Sequence, residues 1–151
     1  MRCVLDASIA IKTVLPEHDS EKAVALKAGF VRQLHEFLAP DVFPIEVAHA
    51  LSRAERRGIL KAGEGSQALA DMLQVLPELY ESLTLLPRAF EISSRARIGV
   101  YDCLYLALAE REHIPLITAD QKLLALPGFQ LLDLAAFEQA IPPRVGSILA
   151  M

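Results

Sequence analysis

The chain has 151 residues, of which 53% are hydrophobic and 23% charged, and its formal net charge is -4. That balance reads as one soluble, rather apolar globular domain spanning residues 1–151, large enough for a real core. No uncharged apolar run approaches the roughly 18 residues of a membrane span, and Asp6 stands where a signal peptide would have its apolar centre, so the expected location is the cytoplasm.

Short apolar runs alternate with segments of helical period, and prolines punctuate both, which is the rhythm of an α/β protein. Arg2 to Leu5 reads as the first strand, followed by a short helix over 8–15 and a longer one from Ser20 to about Leu38, interrupted by Gly29. Residues 37–39 also suit a brief strand. Pro44 suits a helix first turn, and Ile45, Ala48, Leu51 and Ala54 carry an apolar stripe to a stop at Arg57-Gly58. A helix over 62–76 follows, then a strand over 82–86 and a helix opened by Pro87 that runs to about Ile98. After Gly99, residues 101–112 form another helix; 116–118 are a buried strand, 121–126 a short helix and 129–132 a last strand. The tail from about Leu134 carries little pattern, and there is no internal repeat or linker.

Four acids stand out against this pattern. Asp6 closes Cys3-Val4-Leu5, Asp120 closes Leu116-Ile117-Thr118-Ala119, and Glu46 and Asp102 lie inside apolar segments at predicted helix starts. In an open parallel sheet, loops at the carboxyl ends of strands form the ligand edge, and all four acids fall there. The plainer reading of any single one is a helix cap. Four together are another matter: at about 5 Å and an effective dielectric near 20, each charged pair repels by roughly 3 kcal/mol. Such a cluster protonates, spreads or binds a cation, and all-oxygen ligands favour magnesium or manganese over zinc.

Several other residues gain meaning from this cluster. Ser8 and Thr118 lie two positions from Asp6 and Asp120, within reach to hydrogen-bond a ligating carboxylate, with a local turn bond as the alternative. Lys12, near Asp6, and Arg53, Arg56 and Arg57, downstream of Glu46, are candidates for contacts to substrate phosphates, although a solvated helix face explains any one of them. Tyr101 and Tyr105 are weighed as base-stacking residues against partial burial. Without the four carboxylates the chain holds 15 acidic and 15 basic residues, so its mild acidity does not exclude a phosphate substrate. Cys3 and Cys103 sit in apolar segments and read as buried small hydrophobes in a reducing compartment. The high apolar fraction points to a covered surface, with a homodimer as the simplest partner. A rival reading takes Glu46-Val47-Ala48-His49 and Glu110-Arg111-Glu112-His113 as the paired Glu-x-x-His ligands of a di-iron helical bundle, but prolines keep these helices short.

The segments Val4-Leu5-Asp6-Ala7-Ser8, Pro40-Asp41-Val42-Phe43-Pro44-Ile45-Glu46-Val47, Tyr101-Asp102-Cys103-Leu104-Tyr105-Leu106-Ala107-Leu108-Ala109 and Pro115-Leu116-Ile117-Thr118-Ala119-Asp120 resemble, in this order and spacing, the PIN domains of VapC-type toxins. The resemblance runs nearly end to end. It implies a three-layer α/β/α fold with a central, mainly parallel sheet, and cleavage of RNA phosphodiesters dependent on Mg2+ or Mn2+. It also implies that Asp6, Asp102 and Asp120 hold the metal while Glu46 completes the catalytic pocket and orients water, and that a cognate antitoxin is the protein partner. The chain departs from the family's pattern at Gln121 and Lys122, where some relatives carry another acid or amide, so the resemblance does not extend to a second metal. Gly99 and Val100 likewise stand where many relatives have Ser or Thr. The alternative within the same fold is a non-catalytic module whose acidic pocket receives a partner's arginine.

Overall fold

A computed structural model of the chain describes residues 1–15, 20–31 and 35–140. Its elements are β1 (Arg2–Leu5), α1 (Ala7–Ile11), α2 (Ser20–Val31), β2 (Glu36–Pro40), α3 (Phe43–Arg56), α4 (Glu64–Leu73), β3 (Glu78–Tyr80), α5 (Ser82–Ala96), α6 (Val100–Glu112), β4 (Leu116–Ile117), α7 (Gln121–Leu124), β5 (Leu131–Leu132) and α8 (Leu134–Ala140). Five strands form one parallel sheet in the order β3-β2-β1-β4-β5. Helices on both faces bury it, which is why the three inner strands carry almost unbroken apolar runs: Cys3 to Leu5, Phe37 to Pro40, and Leu116 with Ile117.

From β1 the chain grows outward through β2 to β3, then returns to the opposite side of β1 for β4 and β5. The order reverses between β1 and β4, and the crevice at the carboxyl ends of those two strands is the place where an open α/β sheet binds ligands. The two strands are joined beyond their short ladder as well: Val4 N–H donates to Pro115 O at 2.9 Å and Asp6 N–H to Ile117 O at 3.0 Å.

The middle of helix α6 is buried on every side, with every residue from Cys103 to Ala109 in the core, because it packs on both the sheet and α5. It therefore lacks the one-sided pattern of α3, which buries Phe43, Val47, Leu51 and Ala54 and exposes the opposite face. Cys3 and Cys103 are both buried free thiols, as the sequence suggested. Among the described residues no helix is long and apolar enough to cross a membrane.

Four expectations need correction. The helix from Ser20 stops at Val31, and Glu36–Pro40 is a full strand paired on both sides, so the brief strand reading of 37–39 prevails over a helix running to Leu38. Gly29 has a packing reason: a Cβ there would meet the His35 ring at 2.6 Å. Residues 82–86 are not a strand. They open α5, whose first N–H, from Ser82, donates to Asp41 Oδ1 at 3.2 Å, and the strand is the preceding triplet Glu78–Tyr80. Pro87 consequently lies inside α5, where Leu85, Ala89 and Ile92 keep a buried stripe across it. Helix 62–76 contracts to Glu64–Leu73, started by Gly63 in the left-handed region at φ 91°. The tail is ordered at least to Ala140, with Leu134 and Phe137 in the core.

Candidate active site

Asp6 leaves β1 at its carboxyl end and is the N-cap residue of α1, yet its side chain makes no cap hydrogen bond. Its carboxylate turns instead toward the neighbouring strand. Oδ2 accepts from Ser8 Oγ at 2.7 Å and from Thr118 Oγ1 at 2.8 Å. Those hydroxyls are themselves held from the β4 side, Ser8 Oγ accepting from Ala119 N–H at 3.0 Å and Thr118 Oγ1 from Asp120 N–H at 3.0 Å. Two short polar side chains thus tie the first acid to the turn bearing the last one, 114 positions further along the chain.

Only Asp120 behaves as a simple cap, its Oδ1 accepting from Lys122 N–H at 2.8 Å. Glu46 is in the first turn of α3, which begins just beyond β2, and Asp102 is in the first turn of α6. Neither caps its helix. Both face the space occupied by Asp6.

The four acids lie close enough to perturb one another's carboxyls. Asp6 is only 4% exposed, and burial pushes its carboxyl up, with the Asp120 charge adding to the rise while the Ser8 and Thr118 hydroxyls oppose it. Glu46 is pushed up to about 7, first by burial and then by the charges of Asp6 and Asp102. Asp102 is pushed up to about 6 by burial, Asp6 and Asp120, with Lys122 pulling the other way. Each acid interacts with at least one other, and Asp6 with all three. In their present positions, however, no three Asp, Glu, His or Cys side chains among the described residues are gathered so as to hold a metal ion. The acids share a field without sharing a coordination sphere. Their fit to a hard divalent cation lies in the donor chemistry, which is all oxygen.

The basic candidates distribute differently. Lys12 is the C-cap residue of α1, at the other end of that five-residue helix from Asp6. Arg53, Arg56 and Arg57 are exposed at the opposite end of α3 from Glu46, roughly 10–16 Å along its axis. Arg56 donates to Ser52 Oγ at 2.7 Å. Asp102 also feels the charge of Lys122, whose significance the sequence did not reveal.

The two tyrosines separate cleanly. Tyr101 is exposed, whereas Tyr105 is 0% exposed and its hydroxyl lies against the acids. Its spacing of three from Asp102 put it on the same helix face, which was the available signal. The di-iron reading fails on the structure: the fold is a parallel sheet, Glu110 is engaged by Arg88 through bonds of 2.7 and 2.9 Å, and His113 terminates α6 at φ 55°.

An α/β fold with a carboxylate pocket at the reversal point of a parallel sheet defines the class. Residues 3–128 match the PIN domain family model, and the chain belongs to that family. It is 33% identical to Ribonuclease VapC3 of Pyrobaculum aerophilum over 125 residues, which cover 82% of this chain and 92% of that protein. Among solved structures it is similar to PAE2754 from the same organism, with a TM-score of 0.69 at 22% identity over 93% of this chain and 98% of the other. VapBC2 from Rickettsia felis, solved bound to a DNA fragment from its promoter, superimposes with a TM-score of 0.61 at 16% identity over 88% of this chain and 98% of that one.

Proposed function

We propose that this protein is a cytoplasmic, divalent-metal-dependent endoribonuclease and the toxin member of a type II toxin–antitoxin pair. The observation that carries the reading is the convergence of Asp6, Glu46, Asp102 and Asp120 on one partly buried pocket, in a family whose relatives include named ribonucleases. Asp6, Asp102 and Asp120 would hold Mg2+ or Mn2+. A bound cation of this kind offsets charge on the phosphate oxygens and makes water more acidic.

The chain's own residues supply the rest. Ser8 and Thr118 both occupy Asp6 Oδ2, fixing the carboxylate's rotation and leaving Oδ1 free of those two bonds. Glu46, held near neutrality by burial and its acidic neighbours, is matched to accept the proton of an attacking water. Lys12 and the Arg53, Arg56 and Arg57 group serve as phosphate contacts, the arginines for RNA running away from the cleavage point along α3. A homodimer forms through α5, where Leu83 and Phe90 are 69% and 65% exposed and Leu86 is exposed between them. The antitoxin is the second protein partner, in keeping with the toxin–antitoxin assemblies among the similar structures.

The test is cleavage of a panel of RNAs with and without Mg2+ by the wild type, Asp6→Asn and Asp102→Asn. Cleavage that needs the metal and disappears in both variants is the expected result; equal cleavage by all three proteins ends the proposal. The second reading is a non-catalytic module whose pocket takes a partner's arginine, favoured by the fact that no three described acidic, His or Cys side chains gather around one ion position. It predicts no cleavage by the wild type and antitoxin binding that weakens in the same two variants.

A further inference from the structure

Two buried polar atoms with no hydrogen-bond partner in the structure, Glu46 Oε1 and the Tyr105 hydroxyl, belong to side chains that interact with each other. They come from different elements, Glu46 from the first turn of α3 and Tyr105 from the second turn of α6, one turn after Asp102. Tyr105 is fully enclosed, so no water reaches its hydroxyl from bulk solvent. A buried phenol usually finds an acceptor, and a buried carboxylate oxygen without a donor is unfavourable. The phenol has one proton to give. The groups around it are the Glu46, Asp6 and Asp102 carboxylates and the Ala7 backbone amide. Of these, Asp6 Oδ2 is already supplied by two hydroxyls, the Ala7 amide is itself a donor, and Glu46 is the acid on which Tyr105 acts as a hydrogen-bonding neighbour.

We propose that Tyr105 is a positioning residue for Glu46: its phenol donates to the Glu46 carboxylate, pins Oε1 against the floor of the pocket and leaves Oε2 toward the reacting water. The two side chains interact, yet neither atom has a hydrogen-bond partner in the structure; rotation of the Glu46 carboxylate, which is broad about its last torsion, is the motion that would form the bond. Tyr105 does for Glu46 what Ser8 and Thr118 do for Asp6. The effect on turnover rests on the carboxylate-site reading above; the hydrogen bond does not.

The experiment therefore has an arm that needs no activity. The chain has three tyrosines and no tryptophan, so Tyr80→Phe/Tyr101→Phe leaves Tyr105 as its single phenol. In that protein the tyrosine doublet of ultraviolet resonance Raman spectra reports whether Tyr105 donates. A strong-donor signature that is lost on adding Glu46→Ala is expected; a doublet indifferent to Glu46 overturns the proposal. In the second arm, single-turnover cleavage by Tyr105→Phe falls about tenfold or more, as for other residues that orient an active-site group, with unchanged Tm and little change in KM. In a Glu46→Gln background the same substitution costs less than about twofold, because its route of action is already gone. Equal losses in both backgrounds mean that Tyr105 is only a core residue. If the wild type cleaves no RNA, the functional reading falls and the Raman arm alone decides the pairing. If Tyr105→Phe does not fold, the Raman arm is unaffected, because Tyr105 is retained in it.

Discussion

Crowded carboxylates make a stability prediction that needs no knowledge of the substrate. Glu46 is raised from 4.5 to about 7 and Asp102 from 3.8 to about 6 in the folded protein. A raised carboxyl holds its proton more tightly folded than unfolded, so its contribution to stability is fully present below the unfolded value and lost as pH rises through the folded one. Each shift corresponds to roughly 3 kcal/mol, and because both acids answer to the charge of Asp6 the combined loss is set at about 3 kcal/mol rather than twice that. For a chain of this size that is about 6–12 °C in Tm. Calorimetry on protein treated with chelator is expected to show Tm falling by this amount between about pH 4.5 and pH 7.5, most steeply between about pH 4.5 and 6, where both acids are ionised in the unfolded chain and still protonated in the folded one. Glu46→Gln flattens the curve and raises Tm at pH 8. Saturating Mg2+ at pH 8, at about 100 times its Kd, restores about 2.7 kcal/mol. A chelated wild type whose Tm is level or rising over this range, or a Glu46→Gln protein with the same slope, refutes the account of the pocket as mutually repelling acids.

Further outcomes follow from single contacts. Thr118→Val removes the hydroxyl that donates to Asp6 and accepts from Asp120 N–H in a fully buried position, which costs about 1–3 kcal/mol in denaturant titrations and weakens Mn2+ binding about tenfold by isothermal calorimetry. Arg88→Ala deletes an exposed ion pair to Glu110 across α5 and α6, so stability falls by less than about 1 kcal/mol and cleavage is unchanged. Replacing Arg53, Arg56 and Arg57 together by Ala lowers RNA affinity and reduces the slope of log K against log salt by about 2–3, one for each lost phosphate contact, without changing the single-turnover rate at saturating protein. An unchanged salt slope assigns them to solvent.

What was legible in the sequence depended on whether local and tertiary signals agreed. β1 and the Asp6 that closes it were readable because an apolar run ends abruptly on a charge, and α3 because Pro44, the apolar stripe and Gly58 each mark a boundary. The Leu83-Thr84-Leu85-Leu86 run misled because four apolar or β-branched residues before a proline satisfy a strand as well as a helix, and only packing of Leu85, Ala89 and Ile92 against α6 decides. In the site, the acids were visible as charges in apolar surroundings and Ser8 and Thr118 as hydroxyls at fixed offsets from them. Tyr105 was not, since an aromatic inside Leu104 to Ala109 carries no mark of which atom its hydroxyl will meet. Lys122 was legible only as a departure; that its charge reaches Asp102 depends on tertiary structure, which the local sequence does not carry.

The pairing of β1 with β4 also sets a timetable for the newborn chain. Asp6 and its Ser8 tether leave the ribosome together, but the second tether, Thr118, and the fourth acid, Asp120, are made 112 and 114 residues later. Until that segment emerges and docks beside the first strand, the pocket lacks one wall. Whatever chemistry it performs is withheld over that stretch of synthesis by nothing more than the order in which residues are joined.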